Sequence, residues 1–197
     1  MEKLLATRSV IARPTDTGYA GVCVQWDGYP SDRLSLLLTA HRYRFGGDLD
    51  ALARHLIDEA PEGWGELGTD LLDGAPASLR TELVGDDDRP SSKHDAMVVI
   101  TIGDVGPELH TFTEQSSGDL DWGYVLHPHG IEVISLHAEA RGPVVGWDTD
   151  PRTRFSNSPY RWRPGNPIPV TRPTRAVATA PPTPPARTAT PQPVPRR

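Results

Sequence analysis

Apolar positions change their spacing along the chain, and each change marks a different kind of element. Thr7 to Arg13 and Tyr19 to Trp26 are β-prone runs separated by Pro14-Thr15-Asp16-Thr17-Gly18, the residues of a hairpin loop. In the second run Val22 and Val24 face one way and Gly21, Cys23 and Gln25 the other, because strand side chains alternate. Trp26-Asp27-Gly28-Tyr29-Pro30 then turns the chain. With Ser31 as N-cap, Leu34, Leu37, Leu38, His41 and Phe45 form a helical stripe that Gly46-Gly47 ends. Asp48 caps a second helix, in which Leu49, Leu52, Ala53, Leu56, Ile57 and Ala60 recur at helical spacing until Pro61. Thr69 to Leu72 and Ala77 to Val84 read as short helical pieces, the latter with Pro76 at its start.

Beyond a polar loop, Asp86-Asp87-Asp88-Arg89-Pro90-Ser91-Ser92, the spacing becomes that of strands. Met97 to Ile102 is a continuous apolar run, the signature of a central strand, and Leu109 to Thr113 alternates like an edge strand. Trp122 to His127 and Ile131 to Leu136 flank His127-Pro128-His129-Gly130, and Pro143 to Trp147 adds one more. Trp122, Tyr124 and Leu126 share a face, while Ile131 and Val133 oppose Ile134 and Leu136. Helices segregated from strands predict an α+β fold: a largely antiparallel sheet covered on one face by a helical hairpin.

Charge and proline divide the chain. Residues 151–197 hold nine Arg, 13 of the 21 Pro and no acidic residue, whereas residues 1–150 hold 11 basic and 26 acidic residues, a net of −15. An acidic α+β domain is expected over 1–150 and a Pro/aromatic arm over 151–170, where Phe155, Tyr160, Trp162 and Ile168 are available to pack back. A disordered Pro/Thr/Ala/Arg tail is expected over 171–197, with too little apolar surface to offset its ordering entropy. No apolar run approaches membrane-spanning length, the N-terminus lacks a signal-peptide core, and a lone Cys23 excludes an internal disulfide framework. The expectation is a soluble cytoplasmic protein without membrane contact.

Candidate chemistry is sparse. His127 and His129 place two imidazoles at a hairpin tip with Glu132 close by, a pattern open to acid–base or metal chemistry. The competing account is a type I turn with Pro128 in second place and Gly130 in the left-handed region, which leaves the imidazoles as exposed turn residues. His41 reads as a hydrogen-bonded core histidine, His55 as solvent-facing, and Cys23 as a small buried apolar residue. Gly-Asp-Leu-Asp at 47–50 and 118–121 lacks calcium-loop spacing, and no metal or cofactor is expected. No nucleophile-elbow, zincin, P-loop or dinucleotide-binding motif occurs. Trp26, Asp27 and Tyr29 frame a turn open to a ligand platform, although the rings also suit covering the helix start.

Ala6-Thr7-Arg8-Ser9 with Ile11, followed by Val24-Gln25-Trp26-Asp27-Gly28-Tyr29-Pro30-Ser31, resembles a group of small proteins from actinobacteria, their plasmids and phages. Their shared features are a T-R-S-x-I strand and an aromatic-Asp-Gly-Tyr-Pro turn before a Leu-rich helix. The similarity extends to Ala60-Pro61-Glu62-Gly63-Trp64 and Trp122-Gly123-Tyr124-Val125-Leu126 and leaves the tail untouched. Those relatives often carry His where this chain has Gln25. The resemblance implies a bacterial or mobile-element lineage and carries no activity with it.

Three classes of function fit these observations. The leading one is a non-enzymatic binding or interaction module, with a protein partner or the acidic body itself engaging the Pro/Arg-rich tail. Nucleic-acid binding by the tail arginines ranks below it, because the body's −15 supplies counter-charge in cis and repels phosphates. The rival is a small enzyme with a His/carboxylate pocket between hairpin and sheet, drawing on His127, His129, Glu132, Asp27 and His41. A polyproline ligand for a partner's SH3-like domain rests on composition alone.

Overall fold

The computed structural model describes residues 7–16, 18–60, 63–84, 98–99, 110–112, 120–136 and 141–171. The predicted loop over 86–92 and the tail over 172–197 lie outside the described residues, as do parts of the strands predicted over 97–102 and 109–113.

The chain opens with a hairpin of β1 (Ser9–Thr15) and β2 (Gly18–Val24), in antiparallel register from Ser9 opposite Val24 to Thr15 opposite Gly18. Two helices follow. In α1 (Pro30–Thr39) proline occupies the first helical position, where its missing N–H costs nothing. Ser31 therefore sits inside the helix and does not cap it. The Asn157 side chain caps instead, its Oδ1 accepting from the Ser31 N–H at 3.0 Å. α2 (Leu49–Ala53) starts as the sequence predicts, Asp48 accepting from the Ala51 N–H at 2.9 Å. Both helices end in wider, π-type winding: the Phe45 N–H reaches back to the Ala40 carbonyl and that of Glu59 to Arg54, each at 3.0 Å. A 3-10 turn (Thr69–Leu72) and α3 (Ala77–Val84) complete the helical part.

The remaining strands are β3 (Trp64–Glu66), β4 (Val98–Val99), β5 (His110–Phe112), β6 (Trp122–His127), β7 (Gly130–Ser135) and β8 (Val144–Gly146). They form one sheet in the order β4-β3-β2-β1-β6-β7-β8, with β5 also pairing β2. The fold is α+β. The sheet is mixed, since β1 runs parallel to β6 and β2 parallel to β3. A parallel pair needs a long crossover, and α1 and α2 supply it between β2 and β3. The sequence reading missed β3 because three residues are too few to show a period. It also placed the 97–102 run at the sheet's centre, whereas β4 stands at one end of the strand order.

Alternation along the strands divides the core between two faces. Leu34, Leu37, Leu38, Leu52, Leu56 and Ile57 from the helices meet Ile11, Val22, Val24, Trp122, Tyr124, Leu126, Ile131 and Val133 on one face. Val10, Ala12, Tyr19, Leu120, Val125, Ile134 and Leu136 gather on the other, with Cys23 partly buried against them.

The segment from Pro151 onward completes the helical-face core. Phe155 and Trp162 are almost wholly buried there, Trp162 meeting Trp122 edge to face at 6.4 Å. The Trp162 indole N–H donates to the Ser156 carbonyl at 2.6 Å, so its polar atom is satisfied in the interior. Removing this side chain leaves a cavity that the surrounding side chains fill only in part. Trp162→Ala is predicted to lower stability by about 3–5 kcal/mol in urea unfolding, and a loss below about 1 kcal/mol would show that residues 151–171 are peripheral.

Candidate functional site

The turn between β2 and α1 is held from beneath by side chains distant in sequence. Asp27 takes a left-handed backbone conformation (φ 55°), which a non-glycine residue adopts at a cost of about 1 kcal/mol. Two groups compensate. The Arg33 guanidinium, 2% exposed, donates to the carbonyls of Trp26 at 2.7 Å and Asp27 at 3.1 Å. The Tyr124 hydroxyl donates to the Gly28 carbonyl at 2.7 Å. Gly28 in turn donates to the Thr7 carbonyl at 3.0 Å, and a Cβ there would lie 2.8 Å from that oxygen, so only glycine fits.

Burial pulls the Arg33 pKa down, while Tyr124, Asp27, Asp32 and Glu66 act in the opposite direction. Tyr124 is buried too, which pushes its hydroxyl well up and keeps it a neutral donor. Trp26 and Tyr29 consequently stand in solvent on a fixed base, 47% and 43% exposed.

The exposed large apolar side chains among the described residues are Trp26, Tyr29, Tyr160 and Val170. All four belong to the two segments that Ser31 and Asn157 join through a pair of 3.0 Å hydrogen bonds. Tyr160 carries the Arg163 guanidinium over its ring at 6.0 Å. Beside this surface lies a cleft of about 290 Å³, lined in part by Asp32, Leu36, Glu82, Arg152, Arg154 and Thr171. Arg152 is already paired to Glu82 across it at 2.9 Å.

The hairpin histidines lie elsewhere. His127 bonds through Nε2 to Glu132 Oε2 at 3.0 Å, and Arg141 takes Glu132 Oε1 at 3.0 Å. Strand alternation sets both His127 and Glu132 on the face away from the helices, the face of Val125 and Ile134. His129 is exposed at the tip, its ring 5.5 Å from that of His127. Gly130 is nearly extended (φ 159°) and not left-handed as the turn chemistry predicts. Close approach demands glycine instead, because a Cβ would lie 2.3 Å from the Val145 carbonyl oxygen.

His41 stacks on Trp147 at 4.1 Å on the helical side, and the Trp147 indole donates to the His127 carbonyl at 2.9 Å. His41 and the His127–Glu132 pair thus touch through one indole from opposite faces of the sheet, and Asp27 belongs to the turn. His55, read from the sequence as solvent-facing, is largely buried: it pairs with Glu59 at 2.6 Å and tilts against Phe45 and Trp64. The wide winding of Arg54–Asp58 rotates it away from the position that a regular helical period assigns.

Burial pushes the Cys23 thiol up, opposed in part by Arg8, which disfavours an activated thiolate. Among the described residues no group of three His, Cys, Asp or Glu side chains is arranged to hold a metal ion. No helix among them is long and apolar enough to cross a membrane. No family model, curated protein or solved structure matches the chain.

Sequence reasoning singled out Trp26, Asp27 and Tyr29 but not Arg33, Glu66, Tyr124 or Arg141. Arg33 had a legible signal: it precedes Leu37 by four residues and so flanks the apolar stripe of α1. Glu66 lies on the unrecognised β3, and its inward direction had no pattern to reveal it.

Replacing Arg33 strips the Trp26 and Asp27 carbonyls of their donor and removes the charge that faces Glu66. Arg33→Met is predicted to cost about 3–5 kcal/mol in chemical denaturation, whereas Trp26→Ala stays within about 0.5 kcal/mol of the native chain. Similar losses for the two variants would contradict this division.

His41 gives a pH dependence. Burial, the largest cause, holds its pKa below the ordinary value, and a Gly47 backbone hydrogen bond opposes the shift in part. The unfolded chain therefore binds the proton more readily, and stability falls as pH drops through about 6.5 toward the folded value. His41→Phe is predicted to reduce the fall in melting temperature between neutral and mildly acidic buffer. An unchanged fall would place the acid sensitivity elsewhere.

Proposed function

We propose that this chain is a non-enzymatic binding module that contacts an extended, proline-rich and basic peptide through Trp26, Asp27 and Tyr29. The observation that carries this reading is the exposure of two large rings on a turn fixed by buried donors. A left-handed Asp27 and a buried Arg33 are costly, and together they fix the backbone that carries the two rings. Prolines in an extended helix pack against such rings with little loss of conformational entropy, and a basic side chain meets Asp27. Tyr160 is exposed as well, and Arg163 over its ring exemplifies the cation–π contact that a basic ligand would make.

An enzymatic reading has less support. His127 is engaged with Glu132 and Glu132 with Arg141, and the only thiol is displaced toward its neutral form.

The test is a titration of the full chain with short synthetic peptides, followed through the indole N–H resonance of Trp26. A proline-rich peptide containing arginine is predicted to shift that resonance saturably at millimolar concentration, and its acidic counterpart to leave it in place. Trp26→Ala with Tyr29→Ala should weaken binding at least tenfold without changing the melting temperature by more than a few degrees. Binding that is indifferent to both substitutions, or no binding of any peptide, would overturn the reading.

A further inference from the structure

The surface lies beside the point from which the chain continues toward its own proline-rich end. Thr171, the last described residue, is anchored by two hydrogen bonds to the Arg154 carbonyl, from its N–H at 2.7 Å and its hydroxyl at 3.1 Å. It lines the same cleft as Ser31 and Asp32, the first turn of α1, and the aromatic turn directly precedes that helix. The described chain therefore ends at the cleft that the first turn of α1 lines, two residues along the sequence from Tyr29. Residues 172–197 contain five Arg and no acidic residue, against an acidic body of net −15.

We infer that the resident occupant of the aromatic surface is this chain's own segment over residues 182–187, Pro-Thr-Pro-Pro-Ala-Arg, docked in cis against Trp26, Asp27 and Tyr29. The inference rests on the reading of that turn as a peptide-binding surface.

Polyproline geometry supports the match. Three residues complete a turn of that helix, so in it Pro182 and Pro185 share one edge about 9 Å apart, a spacing suited to two separate rings. Arg187, just beyond, brings a guanidinium toward the Asp27 carboxylate, which has no hydrogen-bond or ion-pair partner among the described residues. Reach is sufficient: the eleven residue steps from Thr171 to Pro182 span up to about 34 Å in polyproline form, enough to loop back toward the start of α1.

Tethering does the rest. A motif that binds at about 100 µM when free is about nine-tenths occupied at an effective concentration of about 1 mM. An external proline-rich ligand must then displace the tail, which makes the tail a competitor for the site it guards.

The experiment uses the full chain with Cys23→Ser, so that Ala189→Cys carries the only nitroxide label. The Trp26 indole resonance, assigned by its loss in Trp26→Phe, reports proximity. It is predicted to lose more than half its intensity in the oxidised sample relative to the reduced one, independently of dilution. Pro182→Ala, Pro185→Ala and Arg187→Glu together should restore it.

Three results overturn the inference. If the label leaves the resonance intact while a free proline-rich basic peptide still shifts it, the surface binds such peptides but the tail is not its occupant. If neither acts, the peptide-binding reading falls as well. If broadening appears only between isotope-labelled and nitroxide-labelled chains mixed together, the occupant comes from a second copy and the cis arrangement is wrong.

Discussion

A single buried cation sets the geometry on which the candidate site depends. Arg33 leaves water to bond the carbonyls of Trp26 and Asp27 under a backbone that is strained at Asp27. Desolvating a guanidinium costs several kcal/mol, and its return here is two carbonyl bonds and the field of nearby acidic groups. Tyr124 extends this support across the sheet. It stands on β6, which reaches the turn because β1 and β6 run side by side in parallel, with Ile11 opposite Tyr124. The mixed character of the sheet thus matters for the site: the β1–β6 pairing brings a hydroxyl from late in the chain under a turn from its beginning.

The other support for this surface comes from beyond the acidic body. Asn157 caps α1, Phe155 and Trp162 fill the core beneath it, and Val170 pairs with Phe155 in an isolated bridge. These contacts draw residues 151–171 against the first turn of α1, and Thr171 lines a cleft with Ser31 and Asp32 there. Charge separation along the sequence then has a spatial meaning among the described residues, because the acid-free segment 151–171 packs at the start of α1.

The layout of elements was legible because it rests on periods that survive from sequence to structure. The stripes of α1 and α2 and the alternation in β2, β6 and β7 lie on the faces that simple spacing assigns. What escaped has a physical cause in each case. β3 is too short to have a period, and π-type winding shifted His55 from its expected face. The Ser31 cap was overruled by Pro30, which took the first helical position, and by an asparagine far along the chain. At the site, the turn residues declared themselves by composition, whereas Arg33 and Tyr124 act through hydrogen bonds to backbone carbonyls, and only the position of Arg33 beside the apolar stripe of α1 hinted at its burial. The histidine pair illustrates the reverse: conspicuous in sequence, its rings stand 5.5 Å apart, with His127 engaged by the buried Glu132 and His129 exposed at the tip.

The central claim is that buried donors fix the turn before any ligand arrives. Backbone 15N relaxation at Trp26, Asp27 and Gly28 in the native chain measures this directly. The account predicts order parameters near 0.85, as in the strands and helices on either side. Values below about 0.6 at these three amides would mean that Arg33 and Tyr124 do not hold the turn, and would contradict a preset surface.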